Sequence, residues 1–172
     1  MFTREWRHPN QKAKLLSVSI IKNAKEPRFT QIRFHGTQRA CTIGNNPLQT
    51  CDESECYLCQ VLKNGFSIQH SNPKSMFGPG IYTSVVSSKA NIYARNYHIR
   101  SHKHVLLICA IDPGNSRTMR VAAAPGAGVD SIEGATKPEG GTLEYPETVV
   151  FNEKNIKPVG LVVYTREGWQ PR

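Results

Sequence analysis

The chain has no apolar run long enough to cross a bilayer; the longest, such as Val105–Ile111, fall far short of the ~20 residues a spanning helix needs. Its start, Met1-Phe-Thr-Arg-Glu-Trp-Arg-His-Pro9, has no apolar stretch of signal-peptide length, so an intracellular protein, cytoplasmic or nuclear, is expected. Internal repeats and low-complexity tracts are missing, which excludes solenoids and biased linkers. Acidic residues are scarce: 13 Asp and Glu stand against 22 Lys and Arg, giving a net charge of +9. The cations are scattered from Arg4 to Arg172 rather than massed in one block. That excess fits either an ordinary soluble basic protein or a surface that attracts a polyanion by its summed field.

What is present is enough for one core. The 172 residues are 38 % hydrophobic, and with glycine added the apolar share is near the globular norm. A disordered tail is excluded, and residues 1–172 are expected to form a single domain.

Five cysteines are present. Cys109 lies inside the apolar run His104–Ile111 and reads as a small buried hydrophobe. Cys41, Cys51, Cys56 and Cys59 have the spacing C-x9-C-x4-C-x2-C. The last pair lets two thiolates point at one ion, and four thiolates close a tetrahedral zinc site of the structural kind. The segment between them is polar and poor in core formers, so a metal would supply its order. The Cys-rich, zinc-binding stretch is placed at about residues 38–60. Two disulfides, four unrelated thiols, or a redox C-x2-C pair are the alternatives. A reducing compartment disfavours the disulfides, and the missing thioredoxin-like βαβ pattern disfavours the redox pair.

Hydrophobic alternation and β-branched residues predict strands at Leu15–Ile21, Phe29–His35, Gly80–Thr83, His104–Asp112, Thr118–Ala123, Glu147–Phe151 and Ile156–Tyr164. Glu26-Pro27 is expected to break the first from the second. A helix is predicted over Cys56–Lys63, capped by Ser54 and stopped by Asn64-Gly65, and a second over Ser87–Asn96. Pro125–Tyr145 reads as a long loop, and loops of that length are often functional. The sum is about six strands and two or three helices in α+β order.

Several pieces could carry chemistry. His35-Gly36-Thr37 ends a strand, Phe77-Gly-Pro-Gly-Ile-Tyr82 is a glycine turn entering one, and Glu147 begins a late one. Each alone is ordinary: a strand-end His is usually a satisfied surface residue, Gly-Pro-Gly usually just a turn, and a strand-start Glu usually solvated.

In this order and spacing the pieces form a pattern. Arg33-Phe-His-Gly-Thr37, Leu62-Lys-Asn-Gly-Phe66, Phe77-Gly-Pro-Gly-Ile-Tyr-Thr-Ser84, Ser87-Ser-Lys-Ala-Asn-Ile-Tyr93 and Glu144-Tyr-Pro-Glu-Thr-Val-Val-Phe151 follow one another along most of the chain. The chain resembles the catalytic domain of the poly(ADP-ribose) polymerase family of ADP-ribosyltransferases. The Cys-bearing insertion and Phe2, Trp6 and His8-Pro9 look like a fungal branch of it.

The resemblance implies an ADP-ribosyltransferase fold, with two packed antiparallel-rich sheets and short flanking helices. It implies no room for the helical regulatory domain of some members. It also implies a catalytic set of His35, Tyr82 and Glu147. His35 would bond the adenosine ribose of NAD, Gly36 the nicotinamide carboxamide through its backbone, and Tyr82 and Tyr93 would sandwich the nicotinamide ring. Glu147 would bind the 2′-hydroxyl of the nicotinamide ribose, with Glu144 the less favoured choice. Thr37 and Ser88 complete the expected NAD contacts. The acceptor would be a protein or nucleic acid, modified by a single ADP-ribose, at a site shaped by Pro125–Tyr145.

The chemistry agrees with these residue types. Breaking the nicotinamide–ribose bond builds positive charge on the sugar, as in glycoside cleavage. A carboxylate aimed there gains most in the transition state. Flat aromatic faces suit a flat leaving group, and a glycine permits close backbone approach.

Two positions depart from the family pattern. Ala90 stands where a Ser hydroxyl usually supports the nicotinamide amide, a loss of about 1 kcal/mol. Ser67 stands where a basic phosphate contact is common, with Lys74 as its candidate substitute. Besides the transferase, an NAD glycohydrolase and a weakly active nucleotide- or partner-binding domain are therefore carried as readings.

Overall fold

The computed structural model describes residues 1–9, 11–21, 28–45 and 49–167. The expected break at Glu26-Pro27 lies outside them. The protein is a mixed α+β fold, mostly sheet. Its strands are β1 (Ala13–Ile20), β2 (Gln31–His35), β3 (Gln38–Arg39), β4 (Ile81–Thr83), β5 (Arg95–Asn96), β6 (Lys103–Ile111), β7 (Ser116–Met119), β8 (Ser131–Gly134), β9 (Glu147–Val150) and β10 (Ile156–Arg166). Two short α-helices, α1 (Tyr57–Asn64) and α2 (Ser87–Asn91), and three single 3₁₀ turns complete it. Among the described residues no helix is long and apolar enough to cross a membrane.

The first sheet has the order β1-β10-β6-β2 and is antiparallel throughout. Strand β6 explains why Val105–Ile111 is an unbroken apolar run. Val105, Leu107, Cys109 and Ile111 pack toward α1, while Leu106 packs the other way, with Phe2, Phe34, Ala90, Ala94 and Tyr164. A strand covered on both faces has no solvent side to carry polar residues. Strand β1 is the opposite case. It sits at the sheet edge, and Val18 and Ile20 are 48 % and 70 % exposed.

The second sheet has the order β4-β9-β8-β7, antiparallel except for β7 beside β8. A bridge between Phe34 and Ser84 joins the sheets, with both backbone hydrogen bonds made, at 2.8 and 3.0 Å. Side chains reinforce the joint: Arg33 Nε donates to Thr148 Oγ1, which donates to Glu133 Oε2, each at 2.8 Å.

Several sequence expectations are corrected. The Pro125–Tyr145 stretch is not a loop throughout, since it holds β8 and the 3₁₀ turn Lys137–Glu139. Strand β8 has pairing partners on both sides, and this long-range pairing outweighs its weak local signal. The Thr118–Ala123 strand is displaced to Ser116–Met119. Helix α2 ends at Asn91, and Arg95–Asn96 is captured as a strand by β3. Helix α1 has Cys56, not Ser54, at its N-cap, without a side-chain cap bond. It does end at Gly65, whose φ of +81° suits a residue without a Cβ.

Candidate active-site cleft and cysteine cluster

The end of β2 meets α2 at a single glycine. A Cβ on Gly36 would lie 1.9 Å from the Ala90 carbonyl oxygen and 3.0 Å from the Ala94 nitrogen. Only glycine lets α2 back onto this strand end, and that contact brings Lys89, Ala90 and Tyr93 to the mouth of a cleft. The cleft has about 220 Å³ of space, counting its open mouth, and Gly36, Tyr82, Lys89, Ala90, Tyr93 and Glu147 are among its walls.

Tyr82 is fixed by the turn that precedes it. Its phenol accepts the Phe77 N–H and donates to the Gly78 carbonyl, both at 2.9 Å. Burial raises the phenol above its ordinary pKa, so the bond to Gly78 keeps its proton. Tyr82 pairs with Val149, and Glu147 lies two residues before Val149 on β9. Strand alternation therefore puts Tyr82 and Glu147 on one face of the sheet. Tyr93 faces the cleft from beyond α2 and is 49 % exposed.

Glu147 is a buried carboxylate, 6 % exposed. Its Oε1 lies 3.0 Å from the Lys89 ammonium, whereas Oε2 has no hydrogen-bond partner among the described residues. Lys89 is not among the residues the sequence points to. Its place inside the Ser-Lys pair of the motif was the only signal.

His35 supports the cleft from behind. Its Nδ1 is 2.8 Å from the Tyr82 carbonyl, an acceptor only, so Nδ1 carries the proton and donates. Burial holds the imidazole below its ordinary pKa, against the opposing effect of that backbone contact, so the ring is neutral with a lone pair on Nε2. Phe66 meets the ring edge-on at 5.1 Å.

Three expected contacts are not in the cleft wall: His35, which stands behind it, Thr37 and Ser88. Thr37 adjoins β5, its carbonyl accepting the Arg95 N–H at 3.3 Å. Ser88 is fully buried, and its Oγ accepts the backbone N–H groups of Arg7 and His8 at 2.9 and 3.2 Å. With both lone pairs engaged, its hydroxyl proton goes to His8 Nδ1, 2.7 Å away. Ser88 is thus an anchor for the N-terminal segment. The His8 ring in turn stacks on Tyr145 at 4.1 Å, an arrangement with no sequence signal because its parts lie so far apart in the chain.

The four expected cysteines do converge. Cys41 follows β3, Cys51 lies in the next loop, and Cys56 and Cys59 stand at the cap and first turn of α1. Their Sγ atoms all lie within 4.8 Å of one another, with Cys41 3.6 Å from Cys59 and 3.7 Å from Cys56. A tetrahedron of ~2.3 Å metal–sulfur bonds has edges of about 3.8 Å, so the sulfurs fit a metal ion such as zinc. The Ile43 and Cys51 N–H groups point at Cys41 and Cys59 sulfur, at 3.4 and 3.5 Å, as donors that favour thiolates. All five cysteines are free, and no disulfide joins the four.

Arg39 lies beside the cluster at 1 % exposure. Its guanidinium donates to the Ile43 and Lys103 carbonyls and the Asn96 side-chain oxygen, all neutral acceptors. Burial lowers its pKa, opposed chiefly by the sulfurs of Cys41 and Cys56. A buried cation with neutral partners matches the net negative charge of a tetrathiolate metal site. The chain matches no protein-family model.

Proposed function

We propose that the protein is an NAD-dependent ADP-ribosyltransferase of the His-Tyr-Glu class, with NAD as substrate. The observation that carries this reading is the buried Glu147 carboxylate, facing a cleft walled by Tyr82, Tyr93 and the Gly36 backbone. The nicotinamide ring sits between the two phenol rings, its carboxamide on Gly36. Lys89 holds Glu147 Oε1, which leaves Oε2 for the 2′-hydroxyl of the ribose. As the glycosidic bond breaks, the nicotinamide leaves with the electron pair and the carboxylate stabilises the cationic sugar. An acceptor oxygen then bonds the anomeric carbon. The ADP-ribosyltransferase fold is part of this proposal. It is supported by the two sheets, the short helices and the order of the motifs along them.

We also infer that Cys41, Cys51, Cys56 and Cys59 hold a structural zinc ion. Four protein sulfurs leave no open coordination position, so the ion orders the segment before α1 and takes no part in the chemistry.

A binding-only reading is favoured by one feature: Ala90 in the cleft wall offers a methyl group where a hydroxyl would hold the nicotinamide amide. Incubation with NAD labelled in its adenosine half decides. Label on a protein or nucleic-acid acceptor supports transfer, and free ADP-ribose alone means hydrolysis. Bound but uncleaved NAD means binding only.

A further inference from the structure

Between Glu55 and Asp112 the chain holds no acidic residue, although this stretch includes α1, β4, α2, β5 and β6 and forms much of the cleft wall. One part of it is organised in a way the cleft does not require. From Tyr93 the chain runs over β5 and through a loop into β6, and its outward residues include Tyr93, Arg95, Tyr97, His98 and Arg100, all exposed. The side chains of Arg95 and Arg100 have no hydrogen bond or ion pair among the described residues. Tyr97 and His98 pack ring to ring at 3.9 Å, and His98 holds a φ of +53°, the one positive φ outside glycine among the described residues.

The underside of this loop is rigidly held. Arg39 accepts the Tyr97 N–H on its carbonyl at 2.8 Å and grips the Asn96 side chain with its guanidinium. Asn96 Nδ2 then donates to the Ser101 and Lys103 carbonyls at 2.9 and 3.0 Å, closing the loop on itself. A loop so fixed from below presents its cations and rings in a set arrangement, at the rim of the cleft where Tyr93 stands.

We propose that the Tyr93–Arg100 surface docks single-stranded nucleic acid. Unpaired guanidinium groups attract the phosphates, and exposed rings stack on bases, whose faces a duplex hides. An acidic peptide would use the cations but leave the rings without a role. Calling the docked strand the acceptor rests on the transferase reading; the docking itself does not.

The test is fluorescence anisotropy with a labelled oligothymidylate of about 12 nucleotides, within the usual footprint of such sites, with no NAD present. The wild-type protein is expected to bind it, less tightly as salt rises. Arg95→Ala with Arg100→Ala should weaken binding at least about tenfold and lower the log–log salt slope by about 1.4. Tyr97→Ala should cost about tenfold toward the oligonucleotide but leave the weaker binding of labelled poly-glutamate unchanged. Arg117→Ala with Arg120→Ala removes the same charge from the β7 region and should change affinity less than about twofold, the scale of long-range screening. Melting temperatures equal to wild type verify that these exposed variants fold.

Absence of binding by the wild type overturns the proposal. So does an equal loss from both arginine pairs, which means diffuse charge. Tighter binding of poly-glutamate, with no effect of Tyr97→Ala, means an acidic protein partner and overturns it too. Glu147→Gln is expected to bind the oligonucleotide as wild type does. Oligonucleotide binding without NAD turnover therefore defeats the transferase reading while upholding the platform.

Discussion

The Lys89 ammonium lies 3.0 Å from the Glu147 carboxylate and ties α2 to the first residue of β9. Both side chains are mostly withdrawn from water, so neither charge is easily left alone. Glu147→Gln is expected to keep the fold and cut NAD turnover at least about 100-fold, the scale of a lost charge-stabilising group. Lys89→Met is expected to cost about 1–3 kcal/mol, less than a fully buried pair would. Turnover of Glu147→Gln within a few-fold of wild type would reject the role given to that carboxylate.

Gly36 is where the strand and helix of the cleft touch backbone to backbone. An added methyl would lie 1.9 Å from the Ala90 oxygen, and a carbonyl in a helix cannot swing aside as a side chain can. Gly36→Ala is expected to cost about 3 kcal/mol, the upper end of overpacking. For a chain of this size that is a fall of about 6–12 °C in melting temperature. Gly126→Ala is the control, since its methyl would meet only Arg117 Nη1, at 3.8 Å. Equal melting temperatures for the two variants would refute the close approach.

The local patterns were the legible part of this fold. Val105–Ile111 reads as a buried strand because each of its side chains meets apolar neighbours, and Asn64-Gly65 reads as a helix stop because the backbone there needs a positive φ. The cysteine spacing also carried over, since Cys56 and Cys59 sit on one helical turn. Apart from the α1 cap, which falls at Cys56 and not Ser54, the misses are long-range. Strand β8 forms because β7 and β9 pair with it, although its own residues signal little. Strand β5 forms because β3 is alongside, so a helix read through Asn96 stops early. Ser88 is expected at NAD from its motif alone, and nothing in its neighbourhood reveals that Arg7, 81 residues away, donates to its hydroxyl.

That reassignment has a direct check. Ser88→Ala removes the acceptor for two backbone N–H groups and the donor to His8, so it should cost about 1–3 kcal/mol as partly buried donors lose their partner. NAD affinity, read by calorimetry at a temperature where the variant is folded, should change little. A large loss of affinity with an unchanged melting temperature would return Ser88 to the substrate site.

Acid should destabilise the protein at a pH well above the carboxylate range. Burial, then Arg166 and Arg39, hold His104 down to about 3, and burial also lowers His35 and His8. Each is raised to about 6.5 in the unfolded chain, so on acidification the unfolded state takes up protons first. Stability from these groups is fully present above about pH 6.5 and falls as pH drops below it; for His104 the fall continues toward about pH 3, at up to about 1.4 kcal/mol per unit. The melting temperature should be flat near neutrality and begin to fall near pH 6.5. His104→Gln should flatten that fall. A fall starting only near pH 4 would assign acid sensitivity to carboxylates instead.

Metal removal reaches furthest into the structure. The segment before α1 has little core of its own, and two of the four sulfurs, those of Cys56 and Cys59, belong to residues fully buried in the main core. Elemental analysis is expected to find about one zinc per chain, the stoichiometry of a closed four-sulfur site. Chelation or Cys56→Ser should remove it and lower the melting temperature. Arg39 carries the effect onward: the negative charge of a metal tetrathiolate would compensate its buried charge, and Arg39 in turn holds Asn96 and the Tyr97 backbone. Loss of zinc should therefore raise amide exchange in residues 96–103 as well as in 41–59, while β8 and β9, which Arg39 does not touch, keep their protection. Exchange confined to the cysteine segment would break that link, and a metal-free protein of full stability would remove the zinc site altogether.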